Sequence, residues 1–169
     1  NMTSEFKRQV LSAFQKVSPS KIEIESGDEF AKYEHSLSNL FLYKLKFPSE
    51  LFRGKKVIDF GCGTGELDFI LAKWGASVEG FDFNQISIER ANKLKAYFSF
   101  DPQPLFSVGD VDHYQFQPES YDITTSIGVI AHVPDQENMF RRMAQATRKG
   151  GFVCLGYIED SGLIQRLMH

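Results

Sequence analysis

Apolar positions change rhythm near residue 54 of this chain. Before that point they recur at helical spacing. Phe6, Val10, Phe14 and Val17 predict an amphipathic helix from Glu5 to Val17 closed by Pro19, and Phe30, Tyr33, Leu37, Leu40 and Phe41 predict a second that ends near Pro48. After Arg53-Gly54 short apolar runs alternate with longer periodic segments. Val57 to Phe60, Val78 to Phe81, Leu105 to Val108, Tyr121 to Ile127 and Phe152 to Ile158 read as strands. Between them Leu67, Ile70, Leu71 and Trp74 mark a helix stopped by Gly75, and Asn84 caps another that carries Ile88, Ala91, Leu94 and Phe98 before Asp101-Pro102 breaks it. A third, after Pro134-Asp135, is expected to turn Phe140, Met143, Ala144 and Thr147 inward and to end at Gly150-Gly151. A short apolar stretch with Leu163, Ile164 and Leu167 follows. Such alternation predicts an α/β fold: a doubly wound, mainly parallel sheet of about five strands, flanked by helices and preceded by two more.

Length and charge narrow the class. At 169 residues the chain suits one core, and 42% hydrophobic content makes a folded interior the expectation. A net charge of −3, with no stripe of Lys and Arg, disfavours nucleic acid as the main partner. No apolar run approaches the roughly 20 residues of a membrane span, and no secretion signal pattern opens the chain. Cys62 and Cys154 sit on separate segments without metal-ligand spacing, which fits a reducing compartment and a cytoplasmic location.

In open parallel sheets ligands bind beyond the carboxyl ends of the strands, where the strand order reverses. The first strand runs directly into Gly61-Cys62-Gly63-Thr64-Gly65, a loop whose backbone can turn sharply and approach a ligand. A dinucleotide loop places a third glycine where this chain has Glu66, an acidic side chain that would repel a pyrophosphate. Asp82 ends the second strand 21 positions after Gly61, where a carboxylate can accept both hydroxyls of a ribose, with Phe83 beside it for an adenine. The neighbours Asp112 and His113 could suggest a metal pair, but two adjacent polar loop residues are more often solvated, and no metal is expected. Asp122 begins the fourth strand, at the far end of the sheet, and reads as structural.

The segment Val57-Ile58-Asp59-Phe60-Gly61-Cys62-Gly63-Thr64-Gly65 resembles the first motif of class I S-adenosylmethionine-dependent methyltransferases. The resemblance implies a Rossmann-like fold, with residues 2–50 as a helical cap or lid and residues 51–169 as the cofactor-binding core. It implies S-adenosylmethionine as cofactor and a methyl group passed to a small-molecule acceptor. Asp59, Gly61, Cys62, Gly63 and Gly65 would face the methionyl part, Asp82 the ribose, and Phe83, Asp110 and Val111 the adenine. Ser126-Ile127-Gly128-Val129-Ile130-Ala131-His132 resembles the stretch that borders cofactor and acceptor, which brings in Ile127 and Gly128. His132 either removes a proton from the acceptor or fixes the loop by hydrogen bonding. Tyr33 either belongs to the lid or packs in the core. The usual seven-stranded sheet continues into two more strands that are not seen here, so either the chain is part of a longer protein or its sheet edge is covered by a partner. A non-catalytic cofactor-binding module of a larger protein or assembly is the alternative function.

Overall fold

The computed structural model describes residues 2–16 and 27–156. The predicted close of the first helix at Val17 and Pro19, the end of strand five at Ile158, and the stretch at Leu163, Ile164 and Leu167 lie outside the described residues. Five strands form one sheet: β1 Lys56–Phe60, β2 Ser77–Asp82, β3 Leu105–Val108, β4 Tyr121–Ile127 and β5 Thr147–Gly156. Their order is β3-β2-β1-β4-β5 and every neighbouring pair is parallel. The chain therefore winds outward in one direction from β1 and then in the other from β4. A crevice opens above the carboxyl ends of these two central strands.

Parallel strands need both faces covered, and two apolar clusters do this. On one face Val57, Val78, Ile123 and Phe106 meet α2 (Gly27–Asn39), α3 (Glu66–Lys73) and α4 (Gln85–Leu94) through Phe30, Leu37, Phe69, Ile70 and Ile88. On the other face Ile58, Phe60, Phe81 and Tyr121 meet α5 (Gln136–Ala146). A π-helical turn, Leu40–Lys44, continues α2 and keeps Phe41 fully buried. The Asn84 side chain accepts from the Ile86 amide and so starts α4 where the sequence expects. That helix ends at Leu94, ahead of Asp101-Pro102, because a 3₁₀ turn over Lys95–Tyr97 follows it.

Three expectations need correction. The inward face of α5 carries Met139, Met143 and Ala146, while Phe140 is half exposed and Ala144 exposed. Asp135 caps the helix on the Asn138 amide, and that start turns Met139, one position earlier in the same period, to the sheet. Gly150-Gly151 does not end α5. The backbone is already extended from Thr147, an irregularity in the β4–β5 pairing absorbs the extra residues, and a side chain at Gly151 would strike the Asp122 carbonyl. Lastly, α1 (Met2–Lys16) turns Lys7, Val10, Leu11 and Phe14 inward and leaves Phe6 exposed, because Lys7 has ionic partners beneath it.

Asp122 has the structural role expected of it. Its carboxylate accepts from the Lys56 amide at 2.8 Å and from Arg148 Nε at 2.6 Å, tying together the entrances of β1, β4 and β5.

Candidate cofactor site

The floor of the crevice is the turn after β1. The Gly61 and Cys62 amides both donate to the Phe81 carbonyl, at 2.9 and 3.0 Å, which folds the loop over the end of β2. Gly61 has φ +83°, and a Cβ there would lie 2.5 Å from Val129 Cγ2, so only glycine fits. Asp82 secures the far side. One carboxylate oxygen accepts from the Gly63 amide at 3.0 Å and the other from the Asn84 amide at 2.8 Å. A carboxylate has about four acceptor positions, so Asp82 keeps capacity for a ligand hydroxyl.

Above this floor lies a cavity of about 440 Å³. Tyr33, Asp59, Gly61, Cys62, Gly63, Asp82, Phe83, Ile127, Gly128 and His132, all expected from the sequence, line it. A smaller cavity of about 60 Å³ shares Gly61, Asp82, Phe83 and His132 and brings in the expected Asp110 and Val111. Gly65 lines neither. It begins α3 with φ +81°, and a Cβ there would lie 2.6 Å from Phe106 Cζ, so its visible task is close packing of loop against sheet. Phe14, Leu37, Thr64, Glu66, Asn84 and Ser87 also line the larger cavity without having been singled out as ligand-facing. For Glu66 the signal was its place at the third-glycine position; for Phe14 and Leu37 only helical stripes were visible.

The larger cavity is acidic. Asp59, Glu66 and Asp82 line it, and no Lys or Arg does. Burial raises the Asp59 carboxyl above its ordinary range, against the hydrogen bond from Thr125 that favours its charged form. Burial also raises Asp82, opposed by the two amides it accepts from. Burial pushes the Cys62 thiol well up, and the surrounding carboxylates push it further, so it stays protonated and unreactive. The Tyr33 hydroxyl is raised by burial and then by Glu66, Asp59 and Asp68, which places it over the acidic end.

The roof is α1. Lys7 Nζ reaches Asp110 at 2.7 Å and Asp112 at 2.5 Å, and Phe14 meets the His132 ring edge to face at 5.0 Å. Asp112 also accepts from Asn138 Nδ2 at 2.9 Å. Among the described residues no group of three His, Cys, Asp or Glu could hold a metal ion. Nor, among them, does a hydrogen bond fix the His132 ring.

A parallel sheet with a glycine loop at its switch point and an acidic cavity beyond the strand ends defines a Rossmann-like domain with its ligand crevice at the switch point. A family profile described as a methyltransferase domain matches residues 51–169, and the chain belongs to that family. A ubiquinone biosynthesis O-methyltransferase of Aliivibrio fischeri is 34% identical over 122 residues, 70% of this chain and 50% of that protein. The chain spans about half the length of the curated relatives it matches. Among solved structures, the PH0226 protein of Pyrococcus horikoshii superposes with a TM-score of 0.71 at 24% identity, over 93% of this chain and 70% of that one. Magnesium protoporphyrin IX methyltransferase of Synechocystis, solved with bound S-adenosylmethionine, gives 0.62 at 20% identity, over 84% of this chain and 72% of that one. At these identities the structural likenesses establish the fold. Among the described residues no helix is long and apolar enough to cross a membrane.

Proposed function

We propose that this chain binds S-adenosylmethionine and, in the protein to which it belongs, passes its methyl group to a small-molecule acceptor. The observation that carries the reading is the acidic lining: Asp59, Glu66 and Asp82 without one lysine or arginine. Such a wall repels a pyrophosphate and favours a ligand whose charges include an amino cation and a sulfonium. The residues present fit that cofactor. Asp59, Cys62 and the backbone at Gly61, Gly63 and Gly128 would hold the methionyl end, with Ile127 beside it, and Asp82 would take the ribose hydroxyls. Phe83, Val111 and Asp110 would take the adenine in the smaller cavity. In this assignment residues 2–50 cap the core formed by residues 51–169, with α1 as the lid and Tyr33 of α2 packed against the core cluster beside the cavity.

When bound, the cofactor supplies an electrophilic methyl group for in-line displacement. The chain's own residues orient the ligand and exclude water: Leu37 and Val129 form apolar walls of the cavity, and α1 adds Phe14 to them. His132 stands at the rim, exposed and without a hydrogen-bonding partner among the described residues, where it can accept a proton from the acceptor. The curated relatives are named O-methyltransferases, which supports an oxygen acceptor. Both cysteines are free, in keeping with a cytoplasmic setting. The test is differential scanning fluorimetry followed by a transfer assay. S-adenosylhomocysteine should raise the melting temperature and nicotinamide dinucleotides should not. Formation of S-adenosylhomocysteine from S-adenosylmethionine with a hydroxyl-bearing small-molecule acceptor should then be lost in His132→Ala. Stabilisation by the dinucleotide alone would overturn the reading.

A further inference from the structure

One buried carboxyl group is not used by the site as described so far. Asp68, in the first turn of α3, is fully buried, and neither of its oxygens has a hydrogen-bond donor. It lies against the sheet under the cavity floor. Across the sheet Gly80 of β2, Asp59 of β1 and Thr125 of β4 are register partners in one row. Thr125 Oγ1 donates to Asp59 Oδ1 at 2.7 Å. On the other side of Asp59 the row has no side chain, and Asp68 fills the space. A Cβ at Gly80 would collide with Asp68 Oδ2 and lie 2.8 Å from Cys62 Cβ. The sheet thus leaves a slot for this acid directly beside Asp59.

An ionised Asp68 would be a buried anion with no donor beside a second anion, an arrangement that costs several kcal/mol. The titratable groups that act on it are Asp59 from β1, Cys62 from the loop, Glu66 from its own helix and Tyr33 from α2. None of them is a cation. A carboxylic acid in such a place keeps its proton and becomes a donor. Its available acceptor is Asp59, which already has Thr125 on its other oxygen.

We propose that Asp68 is a positioning residue: it keeps its proton in the folded protein and through it donates a hydrogen bond to Asp59, holding Asp59 as the oriented, charged acceptor at the cavity's acidic end. The consequence for ligand binding rests on the cofactor reading above, in which Asp59 faces the methionyl amino group. Thr125 and Asp68 then grip Asp59 from two sides. Gly80 is the residue that makes the grip possible.

Infrared difference spectroscopy on the ligand-free protein tests the buried acid without any ligand. The wild type should show the carbonyl stretch of a protonated carboxylic acid at neutral pH, and the band should vanish in Asp68→Asn. No band in the wild type, or a band that survives in Asp68→Asn, overturns the proposal. Calorimetry with S-adenosylhomocysteine tests the consequence. Asp68→Asn, which still donates, should bind as the wild type does. Asp68→Leu should lose roughly tenfold, the effect of one hydrogen bond to a charged group, and its binding should fail at a higher pH on the acid side. Asp68→Ala serves if the leucine variant does not fold. Equal affinity and an unmoved acid limb in the apolar variant overturn the positioning role. An intact infrared band with no binding by any protein, wild type included, overturns the cofactor reading instead and leaves the buried acid standing.

Discussion

The floor and the roof of the cavity are built in opposite ways. The floor is a turn whose amides, carboxylates and glycines are fixed by neighbours a few ångströms away: Gly61 under Val129, Asp82 on Gly63 and Asn84, Asp59 on Thr125. The roof is a helix with no fully buried residue among those described, held by Lys7 and by the edge of Phe14 on His132. Rigidity is therefore concentrated where a ligand must be recognised, and the covering element rests on contacts of the kind that form and break easily. In the proposed assignment, with α1 as the lid, it would open for a ligand without disturbing the turn below it.

The largest expected effect is on the floor. Asp82→Ala removes the acceptor for two loop amides and for a ligand hydroxyl. Affinity for S-adenosylhomocysteine should fall by roughly a hundredfold, at about 1.5 to 3 kcal/mol for each hydrogen bond to a charged group. Calorimetric titration reads it, and a loss of less than threefold would mean that the loop does not depend on Asp82.

Gly61→Ala comes next. It combines a left-handed backbone with a collision against Val129, and should cost about 1 to 3 kcal/mol of stability. Urea unfolding measures this, and shrinking the obstacle with Val129→Ala in the same chain should recover part of the loss.

The third effect is a dependence on pH. Asp68 is raised well above its ordinary value by burial and by Asp59. The folded protein then retains a proton that the unfolded chain releases above pH ~4. Stability from this group falls as pH rises from there towards the raised folded value, by about 1.4 kcal/mol per pH unit for one proton. Asp68→Asn should flatten the fall between weakly acidic and neutral pH, as followed by denaturant midpoints. Parallel slopes for the two proteins would contradict the assignment.

The smallest effect belongs to the roof. Lys7→Ala should cost about 0 to 1 kcal/mol, less at high salt, because the pair with Asp110 and Asp112 is partly exposed. Its clearer signature is faster amide exchange along α1 with β1 and β2 unchanged. A loss of stability as large as that of Gly61→Ala would erase the distinction between floor and roof.

Most of the floor was legible in the sequence because its parts are local. Strand, glycine turn and helix follow one another in the chain, and Asp82 and Asn84 close the next unit at a predictable distance. The same locality made all five strands readable, four of them to within a residue at each end. What escaped was set by pairing between distant segments. Nothing in the spacing of α1 shows that Lys7 turns inward, since its partners lie more than 100 positions away. Asp68 stands in the first turn of α3, where an acid is ordinary, and only the register of Gly80 beside Asp59 reveals the slot that buries it. On α5 Met143 faces inward as its spacing predicts, but Met139 takes the place of Phe140, because both satisfy the same period and only the cap on Asn138 decides between them.

The central claim is that this cavity selects a phosphate-free nucleoside cofactor that carries an amino group. Isothermal titration of one protein sample with S-adenosylhomocysteine and, separately, with a nicotinamide dinucleotide tests it most directly. Saturable 1:1 binding of S-adenosylhomocysteine, weakened in Asp82→Ala, with no heat from the dinucleotide, is the expected result; tighter binding of the dinucleotide would contradict it.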